Sequence, residues 1–92
     1  MIEREVAASV NEFTHGLRLA APGAVTQTAA DRFEVASDDA DLVIRVRPFG
    51  ERRLGALVLP LQWVSYECVR GDASAFKRLL ARLDFAMQRG GG

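Results

Sequence analysis

Residues 42–69 read LVIRVRPFGERRLGALVLPLQWVSYECV, and this stretch decides the fold of the chain. At its start Leu42, Ile44 and Val46 fall on one side of an extended backbone, and the residues between them fall on the other. Alternation with a period of two is typical of a β-strand, whereas a helix repeats every 3.6 residues. The pattern therefore predicts that the middle of the chain is a β-sheet.

Two signals divide this stretch. Residues 48–51, Pro-Phe-Gly-Glu, favour a turn, since proline presets φ and glycine tolerates positive φ. Residues 52–69 then form one long, bent β-element in which Pro60 marks a bulge, a kink or a break into two strands, because proline cannot donate to the ladder. The middle of this element is apolar on both faces, so we expect helices or another subunit to cover both sides.

Segments whose apolar residues have helical spacing flank the β-region on both sides. Apolar residues at intervals of three and four predict an amphipathic helix from about Ile2 to about Leu19, which residues 21–23, Ala-Pro-Gly, end. A second helix opens at Asp72, whose carboxylate can cap the first-turn amides. Short strands are predicted at 24–28 and at 32–36.

Together these elements predict an α+β fold. It has an N-terminal helix, an antiparallel meander of three to five strands and a C-terminal helix, with the two helices packed on one sheet face. No helix is expected between two strands, which argues against a parallel βαβ sheet. Residues 1–89 form one domain, and residues 90–92 form a flexible glycine tail.

Composition excludes several classes of protein. Twelve basic and twelve acidic residues give a net charge of zero, so nucleic acid is not an expected partner. The most apolar stretch, 54–69, is shorter than the ~20 residues of a membrane-spanning helix, and the first residues lack the apolar core of a signal peptide. The single cysteine, Cys68, fits a reducing compartment, so a cytoplasmic, bacterial-type protein is expected.

Catalytic chemistry is sparse. His15 stands three residues after Glu12, which would suit a general base oriented by a carboxylate, but such spacing is more often a surface contact on a helix. Cys68 lies in an alternating strand and is expected to be packed and inert. With no metal-ligand cluster and no phosphate-binding loop, we expect a non-enzymatic protein without a cofactor.

Surplus apolar side chains point to binding instead. The candidates for an interface are Leu57, Leu59, Trp63 and Phe85, and Phe85 falls opposite the apolar stripe of the last helix. A homodimer, or another protein as partner, is the leading hypothesis. An alternative is a small apolar ligand bound on the sheet face around Trp63.

Four arginines form a local basic patch around the predicted turn. They are Arg45, Arg47, Arg52 and Arg53. Arginines of one strand parity can hold phosphates or carboxylates, so these are candidates for anion binding. The other interpretation is a solvated hairpin edge whose charges prevent aggregation.

The chain ends in three glycines, the last two being Gly91 and Gly92. A C-terminal diglycine resembles the tails of ubiquitin-like and sulfur-carrier proteins. That resemblance covers the tail alone, and it implies a carrier whose terminal carboxylate is adenylated by an activating enzyme. Those families are β-grasp folds whose tail follows a strand, whereas a helix precedes the tail here.

Overall fold

The computed structural model describes residues 1–90, with side chains described up to Met87. Its elements in chain order are β1 (Ile2–Val6), α1 (Val10–Ala20), β2 (Val25–Ala29), β3 (Arg32–Ala36), β4 (Asp41–Leu54), β5 (Leu57–Arg70) and α2 (Ala73–Gly90). The five strands form one sheet in the order β1-β5-β4-β3-β2, and every neighbouring pair is antiparallel. The predicted α+β class, with two helices and an antiparallel sheet, is confirmed.

The predicted start of the first helix at Ile2 is wrong, because the chain begins with strand β1. Its residues alternate between half-buried and exposed, and the β-branched Ile2 and Val6 suit a strand. Ser9 is the true helix cap: its hydroxyl accepts from the Glu12 amide at 3.1 Å, and the Glu12 carboxylate accepts from the Ser9 amide at 3.0 Å. This reciprocal capping box is the start signal that the spacing of apolar residues obscured.

The expectation that no helix separates two strands is also wrong, since α1 lies between β1 and β2. These two strands are at opposite edges of the sheet, so α1 crosses one sheet face rather than linking parallel neighbours. The partner of β1 is β5, which it meets with Ile2 opposite Tyr66 and Val6 opposite Gln62.

The predicted turn at 48–51 is wrong as well. The ladder between β4 and β5 continues through this segment, with a register shift between Pro48 and Gly50 that identifies a β-bulge. Gly50 accommodates it with a φ of 151°. The chain reverses seven residues later than 48, at Gly55, whose φ of 61° is the left-handed conformation that glycine tolerates best. Pro60 lies within β5 opposite Glu51 and does not divide the strand.

Both helices pack on the same face of the sheet. The buried core joins Phe13 and Leu17 of α1 with Leu79, Leu80 and Leu83 of α2. The sheet contributes Phe33, Val35, Leu42, Ile44, Val46, Val64 and Tyr66. Residues of the opposite parity, such as Arg45 and Ser65, therefore lie on the other face, which is called the open face below.

The last helix begins where the sequence predicts. The Asp72 carboxylate accepts a hydrogen bond from the Ala75 amide at 2.8 Å, the geometry of a helix N-cap. Helix α2 then runs back along the sheet from the end where β5 stops.

Candidate functional site

The β4–β5 hairpin extends past both of the strands beside it. Pairing with β3 stops at Arg45, opposite Arg32, and pairing with β1 stops at Gln62, opposite Val6. Residues 47–60, called the arm below, continue as a ribbon of two strands. The molecule is accordingly elongated, with extents of 44 × 23 × 21 Å.

The arm carries several large apolar side chains in water. Phe49, Leu54, Leu57 and Val58 are all exposed, and Leu57 reaches 63 %. Leu59 is half-buried. A two-stranded ribbon without a helix or third strand is marginal in water, and apolar exposure adds to that cost. The arm thus has little support from its own chain.

Trp63 lies where the arm meets the body of the sheet. Its indole Nε1 donates to Glu3 Oε2 at 2.8 Å. The Phe49 ring meets the indole edge to face, with 5.9 Å between ring centroids and an interplanar angle of 88°. The indole is half-buried, so its position is set by β1 on one side and by the bulge on the other.

Phe85 is on α2 and is 62 % exposed. The preceding residue, Asp84, forms an ion pair with Arg4 of β1, which fastens this part of α2 to the sheet. Phe85 therefore projects from a fixed helix rather than from a loose end.

The structure separates the four arginines predicted to bind anions. Arg45 and Arg47 are exposed and occupy successive positions on the open face, opposite Ser65 and Trp63. Arg52 donates from Nη2 to Glu5 Oε1 at 2.9 Å and is thereby neutralised.

Arg53 stands opposite Val58, near the tip of the arm and on the other face from Arg52. It does not join the pair formed by Arg45 and Arg47. A residue that sequence reasoning did not select, Arg32, does join them, because it lies directly opposite Arg45 on β3. The sequence does indicate its orientation, because Arg32 falls on the opposite side of the strand from the apolar Phe33 and Val35.

A cavity of about 400 Å³ opens beside these side chains on the open face. Its lining includes Glu3, Asp31, Arg45, Arg47, Trp63 and Ser65. It is therefore a charged recess with one aromatic wall.

A second cavity, of about 590 Å³, lies between the end of α1, strand β3 and α2. Its apolar lining includes Ala20, Ala24, Val35 and Leu79. Arg78 crosses its rim and donates from Nη2 to Asp39 Oδ2 at 2.8 Å, and this bond lowers the pKa of the Asp39 carboxyl. Arg78 and Asp39 are thus already paired, whereas Asp38 and Arg82, which also line the cavity, form no ion pair among the described residues.

His15 and Cys68 show no catalytic arrangement in the described residues. Glu12 is engaged by Ser9, whose backbone and side chain lower the pKa of its carboxyl, so Glu12 does not orient the exposed His15. The Cys68 thiol is half-buried and donates to the Arg70 carbonyl at 3.2 Å. It packs against the core, as expected.

Three further properties bear on function. Within the described side chains, no three His, Cys, Asp or Glu residues are grouped so as to hold a metal ion. Neither helix, over its described length, is long and apolar enough to cross a membrane. Gly90, the first residue of the predicted tail, is the last residue of α2, and Gly91 and Gly92 lie outside the described residues.

Comparison of the chain with protein-family models, with curated proteins and with solved structures gave no match.

Proposed function

We propose that this protein is a non-enzymatic interaction module of the cytoplasm that works as a homodimer, with the arm as its contact element. The observation that carries the proposal is the extension of β4 and β5 beyond both neighbouring strands, with apolar residues such as Leu54 and Leu57 exposed on it. Two further strands from a second copy would give the arm the support that it lacks.

The pairing edge that we propose is that of β4. Along the arm both strand edges present backbone amides and carbonyls without a neighbouring strand, which favours pairing with another chain. The β5 edge contains Pro60, which cannot donate a hydrogen bond, in the middle of its unpaired segment. On β4 the proline and the bulge lie at the base of the arm, leaving 50–54 as a regular edge.

We put the twofold axis near Arg52 because charge complementarity supports that position. When two β4 edges pair antiparallel about Arg52, Glu51 of one copy stands opposite Arg53 of the other, and the reverse holds. Glu51 and Arg53 share a face of the strand, and both are exposed without an ionic partner among the described residues. The symmetric pairing thus creates two salt bridges between copies, and the two Arg52 side chains that meet at the axis are each paired with Glu5 of their own chain.

Of the remaining interface candidates, Leu59 stands opposite Arg52 in the arm. A standard interface takes roughly 20 to 30 residues from each side, which is more than the arm contains. Leu59 extends the contact along the arm, and Phe85 offers an apolar contact on α2.

Sedimentation equilibrium at about 50 µM tests the proposal, a concentration that populates any dimer of micromolar affinity. The wild-type chain should sediment as a dimer, and Leu57→Glu should sediment as a monomer because it places a charge in the contact. Leu19→Glu is the matched control, since Leu19 on α1 is 61 % exposed against 63 % for Leu57. This control should remain dimeric.

A charge exchange tests the pairing edge separately. E51R and R53E should each weaken the dimer, because each brings like charges together across the axis, and the double variant E51R/R53E should restore it. A monomeric wild-type chain contradicts the homodimer. If E51R and R53E each dimerise as well as the wild type, the β4 edge is not the pairing edge.

A further inference from the structure

We infer that the open face holds a small organic anion with a flat ring, its charged group on Arg45 and Arg47 and its ring against Trp63. This inference is independent of the proposed dimer, since the cavity lies on the body of the sheet at the base of the arm. It assigns a ligand class to a recess that the interface does not use.

The first argument is a cluster of three arginines that lack ion-pair partners in the described part of the chain. Arg32 and Arg45 stand directly opposite each other on neighbouring strands, and Arg47 follows two residues along the same face. Like charges in opposed positions destabilise a sheet. None of the three has a carboxylate within ion-pair distance among the described residues, whereas Arg52 nearby is paired with Glu5.

A second observation points the same way. The Arg32 Nε atom is buried and has no hydrogen-bond partner. A buried donor without an acceptor costs about 1 to 3 kcal/mol, more when the group is charged. Arg32 does not line the cavity itself, but it lies opposite Arg45, so an anion held on Arg45 would partly offset the charge of Arg32.

The geometry of Arg45 and Arg47 suits an oxyanion. Residues two apart on a strand are separated by roughly 7 Å, so two guanidinium groups can converge on one carboxylate or phosphate between them. Both side chains are exposed and line the cavity, so a ligand can approach from solvent.

Trp63 supplies the flat wall. Its hydrogen bond to Glu3 and its contact with Phe49 hold the indole in one orientation before any ligand arrives. A preorganised aromatic face favours a stacked ring, because little side-chain entropy is lost on binding.

Size and charge select a small ligand over a polymer. A volume of about 400 Å³ lies in the range typical of small-molecule sites, roughly 300 to 1,000 Å³. Glu3 and Asp31 also line the recess beside Arg45 and Arg47, so it lacks the extended basic surface that the successive phosphates of a nucleic acid require. The site therefore fits one anionic group joined to one ring.

Trp63 is the only tryptophan, so its fluorescence reports on this site directly. We would titrate the protein with phenyl phosphate, inorganic phosphate and phenol, exciting at the red edge of the indole band. Phenyl phosphate should give a saturable change, inorganic phosphate should bind at least about tenfold more weakly, and phenol should show no saturation up to about 10 mM.

Two double variants complete the test. R45Q/R47Q should raise the dissociation constant for phenyl phosphate at least about tenfold. R18Q/R82Q removes the same charge from exposed helix positions and should leave it within about twofold of wild type. Absence of saturation with phenyl phosphate, or equal binding by R45Q/R47Q and wild type, overturns the inference, and equal affinity for inorganic phosphate overturns the role of Trp63.

Discussion

Arg70 of β5 and Asp41 of β4 form a two-point ion pair at the end of the sheet remote from the arm. The guanidinium donates from Nε to Oδ2 at 2.9 Å and from Nη2 to Oδ1 at 3.1 Å. Nη2 also donates to the Ser37 carbonyl at 2.6 Å. Arg70, the last residue of β5, is thus bonded to the turn before β4. Its hydrogen bonds lower the pKa of the Asp41 carboxyl.

This pair predicts a loss of stability in acid. Because the pKa of Asp41 is lower in the folded state, its contribution is complete above the unfolded value of about 3.9 and is lost as pH falls through the folded value. The melting temperature should therefore fall below about pH 4, and less steeply in Asp41→Asn. Asp38→Asn is the control in the same turn and should keep the wild-type slope. Identical acid slopes for D41N and wild type would contradict the role of the pair.

Tyr66 predicts a second pH effect, in alkali. Burial, followed by the nearby Asp84 carboxylate, raises the pKa of this phenol to about 12, against the opposing effect of Arg4. The unfolded chain ionises first, so stability is complete below about pH 10 and is lost as pH rises toward 12. Tyr66 is the only tyrosine, so tyrosinate absorbance follows it alone.

The control for this titration is Tyr66→Phe, which should remove the absorbance change. A midpoint near pH 10, with circular dichroism still showing the folded chain, would be incompatible with a buried phenol.

Gln62 predicts a stabilising substitution. Its side chain is 4 % exposed, and its Oε1 atom has no hydrogen-bond partner in the described structure. Gln62→Met keeps the shape and removes the unsatisfied carbonyl, so the free energy of unfolding should rise by about 1 kcal/mol. Gln27→Met, at an exposed position of β2, should stay within about 0.5 kcal/mol of wild type. Urea denaturation measures both, and a less stable Q62M would show that the amide has a partner after all.

A substitution at Gly71 should be strongly destabilising. Its φ is 103°, and a Cβ there would overlap the Asp39 carbonyl oxygen and crowd Ala40. Gly71→Ala should lower the free energy of unfolding by about 2 to 4 kcal/mol. Gly23→Ala has a comparable φ of 73° but open space around it, so it should cost about 1 kcal/mol. Equal losses in the two variants would refute a steric conflict at Gly71.

The sequence was sufficient for features that depend on local pattern. Strand β3 begins and ends where alternation predicts, at Arg32 and Ala36, and Asp72 caps α2 as expected. The first residues were read incorrectly because the same apolar positions, Ile2 and Val6, fit both a helical spacing of four and a strand spacing of two. The capping box of Ser9 distinguishes the two interpretations, because it sets the start of the helix after Ser9.

The arm could not be predicted from the sequence, because it depends on long-range strand pairing that the local sequence does not reveal. A Pro-x-Gly segment favours a turn when considered alone, yet here the ladder between β4 and β5 continues past it as a bulge. The candidate anion site shows the same limit. Strand parity alone places Arg45 and Arg47 on one face, whereas the position of Arg32 opposite Arg45 depends on the pairing of β3 with β4.

The pairing of Ile2 with Tyr66 has a consequence for synthesis on the ribosome. β1 is synthesised before the other four strands, but its neighbour in the described sheet is β5, the last of the five to be made. Until then the nascent segment remains without its hydrogen-bonding partner, and closing so long a loop slows the final step. A truncated product that stops before β5 is therefore left with an unpaired leading strand, a ready substrate for chaperones and proteases.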